Sequence, residues 1–368
     1  MPGKKQVRLA FCDLAPDWDA RDNYFTQALE HAGWEITFCN GPEEKPDFVL
    51  CGTFGFDFLK YDCCRIQFSG EDSWPDLNLY DYAMGFEVLD FDGRYLRLPL
   101  YAMRSSWAPA LNKHTVPDEE LLAKKKFCNF VVSNDYSNER NEFFAALNAH
   151  RPVDSGGGYM NNIGGPVADK LAFQRGYKFS IAYENSRGAG YCTEKIVDAF
   201  AAATVPIYWG APDVKQEFNP AAFLCADDYP DTAALIAAID EIDRDDEKFL
   251  AMCHAPILAP DGSSRAARYV TDEACAEFLT GIFEKGPHLR RNRSCWGLFM
   301  RATGSITAVW RRPPGSRKDC CNGFWGGNSS IPGQRNKTRE RWLTRWRRSR
   351  ILKRTSRKNL EFRGRAGW

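Results

Sequence analysis

Apolar and polar positions alternate over Val7–Cys12, and further strand-like stretches follow at Trp34–Phe38, Phe48–Cys51 and Arg65–Phe68. Each predicts a strand. Arg21–Ala32 instead spaces Tyr24, Phe25, Ala28 and Leu29 along one helical face, and Gly33 follows as the residue that ends the helix. Leu59–Leu100 is denser in strand-like than helical patterns and reads as irregular. Glu119–Lys126 is a charged link and the predicted domain junction. Beyond it, Phe127–Ser133 predicts a strand, Arg140–Asn148 a helix and Asp154–Gly165 a Gly/Asn loop. Asp231–Ile242, Asp245–Cys253 and Asp272–Phe283 read as helices with acids near their starts, the last placed to pack back across the first domain. Strands alternating with helices predict an α/β fold with parallel sheets. The predicted organisation is one domain over residues 1–122, a second over 123–298, and a tail over 299–368.

The richest stretch is Tyr177–Gly210, YKFSIAYENSRGAGYCTEKIVDAFAAATVPIYWG. Its pattern predicts a strand over Tyr177–Tyr183, a loop over Glu184–Tyr191, a helix over Glu194–Ala203 capped by Thr193, and a strand over Val205–Trp209. A Gly-bearing loop feeding a helix N-terminus favours anions, because its N–H groups are unpaired and the helix dipole is positive there. Lys195, in the first turn, is badly placed for that dipole, so its presence points to a bound anion.

This stretch resembles the signature of the α-1,3/4-fucosyltransferases, glycosyltransferase family 10, in their bacterial form. Phe68–Tyr101, Phe127–Asn148 (FCNFVVSNDYSNERNEFFAALN) and Asp154–Gly165 resemble further blocks of that family in its order. The resemblance covers roughly Val7–Met300. It implies a GT-B fold: two Rossmann-like domains facing across a cleft, an acceptor-side domain first and a GDP-fucose-binding domain second. It also implies inverting transfer of fucose from GDP-fucose to GlcNAc or Glc of a Galβ-GlcNAc/Glc acceptor, through an α-1,3 or α-1,4 linkage. By the same resemblance, the FSGE run makes Glu71 the general base. Arg140 and Lys195 align with donor-phosphate residues, Glu194 with the ribose-binding carboxylate, and Asn185 and Tyr191 with donor-site positions. Cations at the diphosphate can take the place of a divalent metal, so no metal or cofactor is expected. The residues alone favour a solvated loop carboxylate for Glu71 and an ion pair with Glu139 or Glu142 for Arg140; the resemblance reverses both. Asp90-Phe91-Asp92 fits a D-x-D metal motif but falls away from the donor segment.

Charge changes the picture at one end. Phe299–Trp368 holds 19 Lys+Arg against 3 Asp+Glu; of the chain's 49 and 48 this leaves 30 against 45, so an acidic body carries a basic tail. The tail reads as a peripheral anchor on anionic membrane, with Trp342, Leu343 and Trp346 on one helical face, as a disordered or frame-shifted segment, or as a nonspecific nucleic-acid binder. No specific nucleic-acid partner is expected. The chain has 13 cysteines and no C-x-x-C pair, which reads as reduced thiols, with Cys12, Cys39 and Cys51 in the core. MPGKKQVRLAF runs into a strand without an apolar signal segment, and a cytoplasmic enzyme, peripheral on the inner membrane face if the tail anchors it, is the expectation. Two other readings compete: a GT-B transferase using another nucleotide sugar, and a basic-tailed binding protein with a degenerate core.

Overall fold

Phe48–Cys51 and Cys64–Phe68 are buried at every position. Strands without an exposed face belong in a parallel sheet covered on both sides, and this is where the computed structural model places them. It describes residues 5–16 and 18–291. The basic tail, with its three readings, lies outside these residues.

The first sheet has strands β1 Lys5–Cys12, β2 Trp34–Cys39, β3 Phe48–Cys51, β4 Cys64–Phe68, β5 Tyr82–Gly85 and β6 Tyr95–Arg97, in the order β2-β1-β3-β4-β5-β6. The second has β7 Lys126–Phe130, β8 Val153–Ser155, β9 Tyr177–Tyr183, β10 Val205–Trp209 and β11 Leu224–Cys225, in the order β11-β10-β9-β7-β8. All neighbours in both sheets run parallel. Strand order reverses between β1 and β3 in the first sheet, and between β7 and β9 in the second. Crevices open outside the carboxyl ends of parallel strands at such reversals, and ligands bind there.

Most predicted elements occupy their expected places. The helix Tyr24–His31 is capped by Asn23, whose side chain accepts from the N–H groups of Phe25 and Thr26. Gly33 follows with φ +83, as a helix-ending residue requires. Two stretches differ. The charged link contains a short helix, Asp118–Leu122, with Leu121 buried. Lys124 turns inward to donate to the carbonyls of Arg175 (2.8 Å) and Ala202 (2.9 Å), and burial lowers its pKa to about 8. The expected Gly/Asn loop begins inside β8, a strand too short to show a period.

The helix Glu273–Glu284 crosses to the first sheet. Phe283 lies 5.3 Å from Trp34 and 4.5 Å from Phe48, Phe278 lies 6.2 Å from Tyr82, and Trp34 Nε1 donates to Thr280 Oγ1 at 2.9 Å. One apolar cluster runs from Val7 and Leu50 through Tyr101 and Ile196 to Phe283, joining both sheets. Every described cysteine is an unpaired thiol; Cys39 and Cys51 are buried and Cys12 is partly so. Among the described residues, no helix is long and apolar enough to cross a membrane.

Candidate active site

At the reversal between β7 and β9, both strands end in loops that feed helices. β9 closes on Glu184, whose carboxylate is fully buried. It accepts from Thr193 N (2.7 Å), Thr193 Oγ1 (2.6 Å) and Lys195 Nζ (3.0 Å). One side chain thus ties both ends of the Asn185–Cys192 loop together. Thr193 holds the cap position of the helix Glu194–Ala201, but its hydroxyl serves Glu184 instead of the helix. Lys195 therefore already has an anion inside the fold, and its place in the first turn does not by itself require a ligand. Burial pushes the Lys195 pKa down, but Glu184 and Glu194 outweigh it and hold the ammonium above its usual range.

Arg140 enters from the other side of the reversal, in the first turn of the helix Asn138–His150, which Ser137 caps. Its guanidinium is buried and donates to the Asn134 carbonyl (2.6 Å), Asn134 Oδ1 (3.1 Å) and Asn185 Oδ1. Among the described residues its partners are these amides, not Glu139 or Glu142. Burial lowers its pKa to about 10 against the pull of Glu184, so it stays charged at neutral pH. Arg140 Nε is buried with no partner among the described residues, and so is Glu194 Oε2. Burial would raise the Glu194 pKa, but Lys195, Lys170 and Arg104 overcome it and keep the carboxylate ionised.

Glu71 comes from the first sheet, three residues past β4. Its loop is a tight turn: the Glu71 carbonyl accepts from Ser73 N (2.7 Å) and Ser69 Oγ (2.8 Å). The side chain is only partly covered, yet desolvation dominates it. The Lys195 charge pulls its pKa down while Glu194 and Asp72 push it up, and it settles at about 7. The same carboxylates, with Glu184, surround the buried ring of Tyr191 and raise its pKa well above the phenol range, with burial as the main cause. All six residues singled out in the sequence (Glu71, Arg140, Asn185, Tyr191, Glu194 and Lys195) thus share one charged cluster at the carboxyl ends of both sheets. Glu184 completes it. The sequence put Glu184 at the start of a loop without a role; the missed signal was a carboxylate at the carboxyl end of an apolar strand, facing a lysine in the next helix.

Several contacts run between the halves of the cluster. Ser186 Oγ donates to Asp72 Oδ2 at 2.5 Å. Arg97, in β6, donates to Glu217 Oε1 (2.9 Å), the Phe86 carbonyl (2.9 Å) and the Gly190 carbonyl (3.0 Å). Gly190 itself has φ +79, and a Cβ there would lie 2.4 Å from the Phe86 carbonyl oxygen. Only glycine fits both demands. Gly190→Ala is expected to cost about 1–3 kcal/mol for the backbone alone, seen as a lower melting temperature. Asp90-Phe91-Asp92 lies elsewhere, on an exposed turn where Asp92 pairs with Arg290.

Comparison with known proteins agrees with the geometry. Residues 9–104 match the family described as alpha-(1,3)-fucosyltransferase FucT N-terminal domain, and residues 121–254 match glycosyltransferase family 10 (fucosyltransferase) C-term. The chain is 34% identical over 286 residues to an alpha-(1,3)-fucosyltransferase FucT of Helicobacter pylori, a match covering 68% of this chain and 60% of the relative's length. It is 35% identical over 129 residues to alpha-(1,3)-fucosyltransferase 4 of Mus musculus, covering 34% of this chain and 30% of that protein. Among solved structures, an alpha1,3-fucosyltransferase with GDP-fucose superposes with a TM-score of 0.68 at 28% identity, over 79% of this chain and 95% of that one. The two sheets, each parallel and joined across the cluster, form the GT-B arrangement.

Proposed function

Because the chain belongs to glycosyltransferase family 10, we propose that it is an inverting α-1,3-fucosyltransferase. It moves fucose from GDP-fucose to the GlcNAc or Glc of a lactosamine- or lactose-type glycan. Glu71 takes the proton of the acceptor hydroxyl, whose oxygen attacks C1 of fucose from the face opposite the nucleotide. The C1–O bond to GDP breaks as the new bond forms, and the proton ends on Glu71. Arg140 and Lys195 stabilise the charge that grows on the departing diphosphate, which is how preorganised cations lower such a barrier. Glu194, held as an acceptor-only carboxylate, receives the ribose hydroxyls, and Asn185 and Tyr191 complete the donor pocket. The basic stretch after residue 299 fits a peripheral contact with anionic membrane from the cytoplasmic side.

The observation that carries this reading is the pair of buried polar atoms without partners, Arg140 Nε and Glu194 Oε2, in one cluster. A buried unsatisfied group costs about 1–3 kcal/mol, and a phosphate oxygen and a sugar hydroxyl are the partners that would relieve them. Incubation with GDP-fucose and N-acetyllactosamine, followed by linkage analysis, tests it. The expected product is α-1,3-fucosylated on GlcNAc, formed equally in excess EDTA. Absence of fucosylated product with any β-galactoside overturns the function, and loss of activity in EDTA overturns the assignment of the diphosphate to side chains.

A further inference from the structure

Large apolar side chains are normally covered, and those left in water singly need no explanation. Here three aromatic ones stand exposed on two loops that leave the first sheet side by side. Phe54 (43%) and Phe56 (45%) follow β3; Trp74 (64%) follows β4, three residues past Glu71, and is the most exposed large apolar side chain among the described residues. β3 and β4 are hydrogen-bonded neighbours with Cys51 opposite Gln67, so their carboxyl ends lie roughly 5 Å apart. From the geometry we propose that Trp74, on the loop that carries Glu71, is the platform on which the sugar beside the reacting one stacks. This rests on the reading of Glu71 as the base.

The exposure is built into rigid loops. Asp13 accepts from Asp57 N (2.9 Å) and Phe58 N (2.8 Å) through its carboxylate and from Phe54 N (2.9 Å) through its carbonyl. Phe58 is buried, and its ring lies 6.4 Å from that of Phe56. On the other loop, the Ser69–Ser73 turn that sets Glu71 also sets where Trp74 starts, with the two hydroxyls 2.6 Å apart. Three residues reach at most about 10 Å, which keeps Trp74 within reach of the sugar next to the one whose hydroxyl meets Glu71. In a lactosamine that neighbour is a β-galactosyl unit. Its axial O4 leaves C–H groups at C3, C4 and C5 on one face, and an indole offers the flat, electron-rich surface that such a face covers. An aromatic anchor held open by its own loop loses little entropy on binding. Hydroxyls around the ring edge stay in water or meet polar side chains at the rim.

The test compares Trp74→Ala and Trp74→Phe with the parent, using N-acetyllactosamine and free GlcNAc as acceptors. For Trp74→Ala the acceptor KM and the calorimetric Kd for lactosamine in the presence of GDP are expected to rise about tenfold. The GDP-fucose KM and the weaker reaction with free GlcNAc should not change. Trp74→Phe should keep most of the affinity, and Phe54→Ala/Phe56→Ala should lose less than Trp74→Ala. Trp74 is exposed, so these variants keep the fold. Product formation with unchanged lactosamine affinity in Trp74→Ala overturns the platform and leaves the transferase standing. Lactosamine binding that depends on Trp74 in a protein that forms no product keeps the platform and overturns the transferase. Absence of lactosamine binding to the parent overturns the platform.

Discussion

Replacing Glu71 by Gln is expected to lower kcat for fucosyl transfer by about 10²–10⁴-fold, the usual contribution of a general base, with GDP-fucose affinity retained. The amide keeps the shape of the turn, whose bonds run through the Glu71 carbonyl and not its side chain. The pH profile carries the same claim with a sign. Burial raises the Glu71 pKa to about 7, so below that pH the carboxyl holds a proton and cannot take another. The rate kcat/KM should therefore climb about tenfold per pH unit toward 7 and flatten above it. Lys195 lowers that pKa and Asp72 raises it. Asp72→Asn should move the limb to lower pH and leave the plateau in place. A profile flat from pH 5 to 8 in the parent, or a Gln variant with parental kcat, removes Glu71 from the chemistry.

The second large effect is on stability. Glu184→Ala is expected to cost about 3–5 kcal/mol, because removing one partner of a buried pair leaves the other charge uncompensated. The change strips Lys195 and Thr193 of their shared acceptor and takes a nearby negative charge from Arg140. Urea denaturation followed by circular dichroism reads the loss directly. The double variant Glu184→Ala/Lys195→Met should recover part of it, since an apolar replacement of both partners removes the stranded charge. Equal stability of the single and double variants would mean that the ion pair is not what Glu184 contributes. Both should bind GDP weakly, because the loop that Glu184 closes would no longer be tied.

Much of this was legible in the residues. β3, β9 and β10 have the bounds their apolar runs predict, because a strand buried on both faces announces itself without alternation. The Glu184–Tyr191 loop was legible because glycine, asparagine and serine between two such strands leave few alternatives. What stayed hidden is tertiary. Lys124 looked like part of a solvated link, and only the fold brings it to the carbonyls of Arg175 and Ala202. Lys195 looked like a cation waiting for a ligand because Glu184, eleven residues earlier, has no periodic relation to it. Arg97 and Glu217 stand 120 positions apart and meet only when both sheets are in place. Long-range pairs of this kind leave no local trace.

The helix Glu273–Glu284 is the last described element in the chain, yet its Phe278 and Phe283 cover strands made near the beginning. Residues 98–272 separate β6 from that helix. At ribosomal rates of about 5–20 residues per second, the nascent first sheet waits roughly 10–35 s with Trp34, Phe48 and Tyr82 unprotected. Holdase chaperones that cover this sheet, and codons that speed translation of the intervening stretch, should therefore raise soluble yield in recombinant expression.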